Sequence, residues 1–174
     1  MKVYTTDKIR NVVLLGHGGS GKTSLAEAFA YLSGITSRMG KVADGNTLSD
    51  YSKEEQKRQF SINTSVIPIE WDGYKINIID TPGYFDFVGE VEEAISAAGA
   101  AIIVVNGKAG IEVGTQKAWE LCEKYKLPRF VYVSNMDVDN ASFRQVVEDM
   151  TAAYDVWQGC RKIQNKNQSY QFHY

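Results

Sequence analysis

The sequence is poor in cysteine, in net charge and in unbroken apolar stretches, and each shortage closes off a class of protein. Cys122 and Cys160 are the two cysteines among 174 residues. They are too few for a disulfide framework and lack metal-ligand spacing, so free thiols in a reducing compartment are expected, with no functional role for either. No apolar run approaches the roughly 18 residues that span a bilayer, and the start, Met1 to Asp7, carries no apolar signal core. A cytoplasmic protein without a membrane partner is therefore expected. The net charge of -2 leaves no basic excess, which argues against a broad nucleic-acid surface and against sequence-specific nucleic-acid binding by this segment.

What is present is the composition of one ordinary globular domain, 23% charged and 44% hydrophobic, with no internal repeat. Strand and helix patterns alternate. Val12 to Leu15 reads as a buried strand that runs through a glycine-rich turn into a helix from about Lys22 to Leu32. The polar stretch from Gly34 to Asn63 reads as a mobile loop with a short charged turn at Ser52 to Gln59. In that turn Lys53, Lys57 and Arg58 beside Glu54 and Glu55 read as a solvated helix face. Ser65 to Trp71 and Tyr74 to Ile79 flank Asp72-Gly73, a two-residue hairpin signal that predicts antiparallel pairing.

Val88, Val91, Ile95 and Ala98 then fall at helical spacing, followed by a buried strand at Ala100 to Val105. Ala118, Leu121, Cys122 and Tyr125 repeat the helical pattern. Phe130 to Val133 is the next strand, and Phe143, Val146, Val147 and Met150 stripe a last helix capped by Asp139 or Asn140. Of the tryptophans, Trp71 and Trp119 read as core or hairpin packing. The pattern fails beyond about Ala153. The expected architecture is an α/β domain over 1–153, three layers α/β/α around a mixed, mostly parallel sheet, with a tail at 154–174 that has no clear code.

Gly16-His17-Gly18-Gly19-Ser20-Gly21-Lys22-Thr23 satisfies the Walker A pattern between a strand and a helix, and Ser24 follows it. Glycines let successive N–H groups turn inward on phosphate oxygens while the helix N-terminus adds partial positive charge. Lys22 would reach the outer phosphates and the Thr23 hydroxyl would hold Mg²⁺. His17 reads as a packing or hydrogen-bonding residue of the loop rather than a catalyst. Asp80-Thr81-Pro82-Gly83 ends a strand, which puts the Asp80 carboxylate beside this cradle as a second Mg²⁺ holder. The Gly83 N–H can face a terminal phosphate, making the following segment a switch.

The purine is addressed by Ser134-Asn135-Met136-Asp137, just after a buried strand. Asp137 could accept two hydrogen bonds from a guanine edge, which adenine cannot offer in that geometry. Taken alone, this short polar turn reads equally well as a plain loop.

Together these residues resemble the translational GTPases, and the run Ile76-Asn77-Ile78-Ile79-Asp80-Thr81-Pro82-Gly83-Tyr84-Phe85-Asp86-Phe87 is similar to elongation factor G. Gly110-Ile111-Glu112-Val113-Gly114-Thr115-Gln116 and Lys124-Tyr125-Lys126-Leu127-Pro128-Arg129 add to the likeness, which covers about Lys8 to Ala153. The resemblance implies a domain that binds GTP and GDP with Mg²⁺, hydrolyses GTP under ribosomal stimulation, and meets the ribosome through the intact protein.

The resemblance also locates departures from the family. Tyr84 takes the place of a histidine that helps orient the attacking water, so the catalytic candidates are Lys22 and Tyr84. Gly19 replaces an aspartate of the cradle. Arg58-Gln59-Phe60-Ser61 stands for Arg-Gly-Ile-Thr, which makes Ser61 a Mg²⁺ candidate. Ser134 and Asn135 replace an asparagine and a lysine of the base-reading sequence. The strand and loop completing the family's base pocket are expected beyond the end of the likeness, leaving that pocket incomplete. Two readings stay beside the GTPase: a nucleotide-responsive module with little turnover, suggested by Tyr84 and Gly19, and a P-loop ATPase, kept open by Ser134 and Asn135.

Overall fold

Why the site forms where it does follows from how the strands are ordered. A computed structural model describes residues 3–154. Its sheet has five strands in the order β2-β3-β1-β4-β5, with β1 Ile9–Leu15, β2 Ser65–Trp71, β3 Tyr74–Asp80, β4 Ala100–Asn106 and β5 Arg129–Ser134. All neighbours run parallel except β2 and β3, which pair antiparallel about the Asp72-Gly73 turn with Trp71 opposite Tyr74. The chain leaves β1 on one side and returns on the other, to β4. That reversal opens a crevice at the carboxyl ends of the strands, where open α/β sheets bind ligands.

Helices α1 Lys22–Leu32, α2 Lys53–Arg58, α3 Val88–Ala97, α4 Val113–Lys124 and α5 Phe143–Tyr154 complete the layers. On one face Val13, Leu15, Ile79, Ile103 and Val105 pack against Ile95 of α3, Trp119 and Cys122 of α4, and Val146 and Met150 of α5. On the other, Leu14, Ile78, Val104, Ile67 and Ile69 pack against Leu25, Ala26 and Ala30 of α1. Alternate residues of β1 and β4 thus feed opposite cores, which is why these strands read as continuous apolar runs. Cys122 lies wholly inside the first core, and burial pushes its thiol up to about 11, so it is inert at neutral pH. Trp119 is buried and stacks on Tyr154, with the Arg129 guanidinium 3.8 Å from its ring centre. Trp71, by contrast, is exposed on the hairpin.

Two local expectations need correction. The cap of α5 is neither Asp139 nor Asn140: the Ser142 hydroxyl accepts from the Gln145 N–H at 3.2 Å, while Val138 to Ala141 close a turn of their own. The charged turn at α2 is not a wholly solvated face. Ser52 and Glu55 form a reciprocal capping box, and Glu55 is fully buried. Its carboxylate also accepts from the Ile62 and Asn63 N–H groups, each at 3.0 Å. Cys160, Trp157 and the rest of the 155–174 tail lie outside the described residues.

Burial alone would raise the Glu55 pKa, but hydrogen bonds from Asn63, Ser52 and Ile62 favour the carboxylate and bring it below its ordinary value of 4.5. A depressed acid contributes stability that is present above the unfolded value and lost as pH falls through the folded one. Glu55→Gln is expected to destabilise the protein by about 1–3 kcal/mol at pH 7. The gap in melting temperature between variant and wild type should narrow below about pH 4.5, as differential scanning calorimetry across pH 3–7 will show.

Candidate functional site

The glycine-rich loop follows β1 and ends at Gly21, whose φ of 94° starts α1 in a conformation that a side chain would disfavour. Lys22 on the first turn folds back so that Nζ donates to the Gly16 and His17 carbonyls at 3.0 and 2.9 Å. Burial lowers its pKa to about 8, with the Asp80 and Glu112 carboxylates partly restoring the charge. The Ser20 hydroxyl is buried with no hydrogen-bond partner among the described residues. Gly19 points into open space and Ser24 is exposed on α1.

His17 turns away from the cradle. Its Nδ1 accepts from the Gly114 N–H at 3.3 Å and its Nε2 lies 3.6 Å from Glu112 at the start of α4. These contacts tie the loop to that helix.

Beside Lys22, four oxygen-bearing side chains converge. Asp80, at the end of β3 and 1% exposed, accepts from the Thr23 hydroxyl at 2.8 Å, and its other oxygen is buried without a partner among the described residues. Burial raises its pKa to about 6, against the favourable effects of the Thr23 bond and the Lys22 charge. Ser61 Oγ stands 3.2 Å from Thr23 Oγ1, so the loop after α2 reaches this point.

The fourth is Asp50, which no sequence motif singles out. It is 3% exposed, and burial raises its pKa against the opposing effect of the Ser61 and Thr47 hydroxyls beside it. The only signal for it was an acid in a polar loop. Two carboxylates and two hydroxyls, with one Asp80 oxygen left over, fit a hard cation that keeps several waters better than a soft metal.

Asp80-Thr81-Pro82-Gly83 passes directly over the loop. A Cβ on Gly83 would lie 2.5 Å from Lys22 Nζ and 2.7 Å from the Gly18 Cα, so only glycine permits this approach. Tyr84 is 44% exposed. Its ring is 3.0 Å from where a Gly18 Cβ would stand and packs on Phe60 with ring centres 4.8 Å apart. The ring thus lies against the glycine-rich loop and is open to solvent. Gly18→Ala is expected to push this ring outward and to change tyrosine fluorescence, with a stability change within about 1 kcal/mol because an exposed ring can yield.

At the far end, β5 delivers Ser134 to the loop: its hydroxyl donates to the Ser20 carbonyl at 2.6 Å and lies 3.2 Å from that of Val105. Asn135, at φ 52°, carries its amide oxygen to 3.9 Å from where a Gly21 Cβ would stand. Met136 and Asp137 are exposed beyond it. Direct contacts therefore bring Lys22, Thr23, Ser61, Asp80, Gly83 and Tyr84 together at the glycine-rich loop, with Ser134 and Asn135 against Ser20 and Gly21 at its end. Asp137 is exposed, and no contact among the described residues brings it to the others.

Known proteins resemble this chain in sequence and in fold. The sequence profile of the elongation factor Tu GTP binding domain matches residues 7–172, past Ala153, where the sequence reading ended the likeness. A mitochondrial ribosome-releasing factor 2 from Drosophila virilis is 38% identical over 162 residues, 93% of this chain and 23% of that protein. Its counterpart from Drosophila grimshawi is 37% identical over 166 residues, 95% of this chain and 22% of the relative. A solved protein from Thermus thermophilus superposes with a TM-score of 0.80 at 41% identity, over 83% of this chain and 22% of that one. A bacterial selenocysteine-specific elongation factor shares the fold alone, with a TM-score of 0.67 at 24% identity over 83% of this chain and 23% of that one. This chain thus spans under a quarter of the length of these relatives. No helix among the described residues is long and apolar enough to cross a membrane.

Proposed function

This chain belongs to the elongation factor Tu GTP-binding domain family, and from that premise we propose that it binds GTP and GDP with Mg²⁺ and hydrolyses GTP as the nucleotide-driven part of an elongation factor G-like protein. Lys22, 6% exposed and bonded to loop carbonyls, is the cation to exchange those carbonyls for β- and γ-phosphate oxygens. Thr23 and Asp80 would hold Mg²⁺, and Ser61, beside Thr23, would join them. When bound, the metal neutralises charge on the phosphates as the terminal phosphoryl leaves. The Gly83 N–H faces that phosphoryl group, and Tyr84 orients the attacking water from the mouth of the cradle. Ser134 and Asn135 wall the purine end, and Asp137 reads guanine.

The observation that carries this reading is the pairing of Thr23 with Asp80 and Ser61, with an Asp80 oxygen left over inside the crevice. Calorimetric titration with GDP, with and without Mg²⁺, tests it. Metal-dependent heat is expected, and ATP is expected to displace a fluorescent GDP far more weakly than GTP does. Absence of heat with any nucleotide would sink the proposal, and equal displacement by ATP would move the chain to the ATPases. Asp137→Asn is expected to weaken GTP binding by about tenfold or more and to shift preference toward xanthosine nucleotides, read by the same competition.

The exposure of Tyr84 favours a second reading, in which nucleotide binding occurs with little turnover. Single-turnover cleavage of radiolabelled GTP at a rate well above that in buffer rejects it. Two of the named relatives are mitochondrial ribosome-releasing factors, and a ribosomal partner for the intact protein belongs to the same proposal. So does a cytoplasmic location, which cell fractionation must separate from the mitochondrial one that those relatives' names carry.

A further inference from the structure

Just past Ser61 the chain is fastened to a different element. The Thr64 N–H donates to Glu90 Oε2 at 2.8 Å, and the Thr64 hydroxyl donates to the Glu90 backbone carbonyl at 3.1 Å. Glu90 lies in the first turn of α3, the helix that follows Tyr84. A carboxylate there is favourable through the helix dipole alone. This one, however, also reaches across to take a donor from the segment that carries Ser61.

A second bridge lies on the other side of Ser61, where the Phe60 ring packs on Tyr84. Ser61 therefore sits between two contacts that both lead to the 83–90 segment, while Glu55 holds Ile62 and Asn63 from the side of α2. The ring contact is exposed at Tyr84 and can slide. The Thr64 clasp is directional and made by two bonds, one of them to a charged acceptor, so it is the firmer of the two.

We propose that Glu90 is a positioning residue that joins the Ser61 segment to the Gly83 and Tyr84 turn, so that both respond as one body to the terminal phosphate. This rests on the GTPase reading above. Without the clasp, Ser61 can withdraw from Thr23 and Asp80 while α3 stays in place, and the group that completes the metal shell no longer moves with the group that faces the attacking water. Affinity for GDP, which has no terminal phosphate, is then largely kept, whereas the chemical step is lost.

The test uses the full chain, with Glu90→Ala, Glu90→Gln and Thr64→Ala. Three quantities are read: GDP affinity, single-turnover GTP cleavage, and hydrogen exchange of 60–64 and 84–90 with GDP or a non-hydrolysable GTP analogue. In the wild type the analogue should slow exchange in both segments together. Glu90→Ala should keep GDP affinity within about threefold but cleave GTP about tenfold or more slowly, because a misplaced group is costly to the chemical step. Its 60–64 segment should lose the response to the analogue.

Glu90→Gln keeps an amide oxygen for the Thr64 N–H and should recover cleavage to within about threefold of wild type. Should Glu90→Ala not fold, Thr64→Ala carries the test, with an expected slowing of about threefold or more from loss of the hydroxyl bond alone. Wild-type cleavage in Thr64→Ala or in Glu90→Ala overturns the proposal. So does a Glu90→Gln as slow as the alanine variant, which would assign the effect to charge at the start of the helix, and so do wild-type segments that respond to the analogue independently. Failure of the GTPase reading would appear earlier and separately, as wild-type protein that binds no nucleotide, and would overturn both.

Discussion

Asp80→Asn is expected to melt several degrees higher than the wild type at pH 7.5 in the absence of nucleotide, while losing Mg²⁺-dependent GTP affinity by about a hundredfold or more. The two effects have one origin. Burial holds the Asp80 pKa at about 6 instead of its ordinary 3.8, so at neutral pH the carboxylate is ionised in the folded protein at a cost that the unfolded chain does not bear. Each unit of such a shift corresponds to about 1.4 kcal/mol, which sets an upper bound near 3 kcal/mol. Removing the charge also takes a counter-charge from Lys22, so a net gain of about 1–2 kcal/mol, or roughly 2–8 °C for a protein of this size, is expected.

The sign is checkable across pH. Between 3.8 and about 6 the native protein holds a proton that the unfolded chain has released, so wild-type stability falls as pH rises through that window. The variant lacks this decline, and the two melting curves should converge below about pH 4. Lys22 shows the mirror effect. Its pKa of about 8 lies below the ordinary 10.5, so wild-type stability should rise with pH between those values as the unfolded chain alone keeps the proton. A variant less stable than wild type at pH 7.5, or one with GTP affinity within about threefold of it, would contradict this account of the crevice.

Gly114→Ala is the second large effect, and its sign runs against helix propensity. Alanine in place of glycine within a helix ordinarily stabilises by about 1 kcal/mol. In α4, however, a Cβ at this position would stand 2.5 Å from the His17 Cα and 2.9 Å from its N, and backbone cannot swing aside as a flexible side chain can. A loss of about 2–3 kcal/mol is expected as α4 is forced off the glycine-rich loop. Because that loop is the proposed phosphate cradle, GDP affinity should fall by about tenfold with it. Gly89→Ala on α3, where an added Cβ meets nothing within 4 Å, supplies the control and should stabilise by about 0.5–1 kcal/mol. Thermal melts of the two variants with and without GDP decide the matter. A stabilised Gly114→Ala would show that the loop is not seated on α4 as described.

The elements most legible in the sequence were those with local codes. The bounds of α1 and β2, and the hairpin turn between β2 and β3, follow from glycine placement and apolar alternation within a few residues. The cap of α5 was misplaced because Asp139, Asn140 and Ser142 are all competent caps, and which one serves depends on the turn that precedes the helix. Glu55 read as solvated because its neighbours on α2 are charged. Its partners, the Ile62 and Asn63 N–H groups, lie beyond the helix, and no helical pattern encodes them. Asp50 carries no local signal for the same reason, since its significance comes from burial near Asp80, a distant part of the chain. The glycine of α4 likewise carries no local signal; only the passage of His17 across it explains why it bears no side chain.

The Ser134 hydroxyl, seated on the Ser20 carbonyl, fastens the turn proposed to lie beneath a purine to the peptide proposed to lie beneath a phosphate. Neither half of a nucleotide can then be felt in isolation: a ring that tilts the turn draws on the loop, and an anion that tightens the loop draws on the turn. Pyrophosphate without any nucleoside should therefore already quiet the motions of the turn proposed to read guanine.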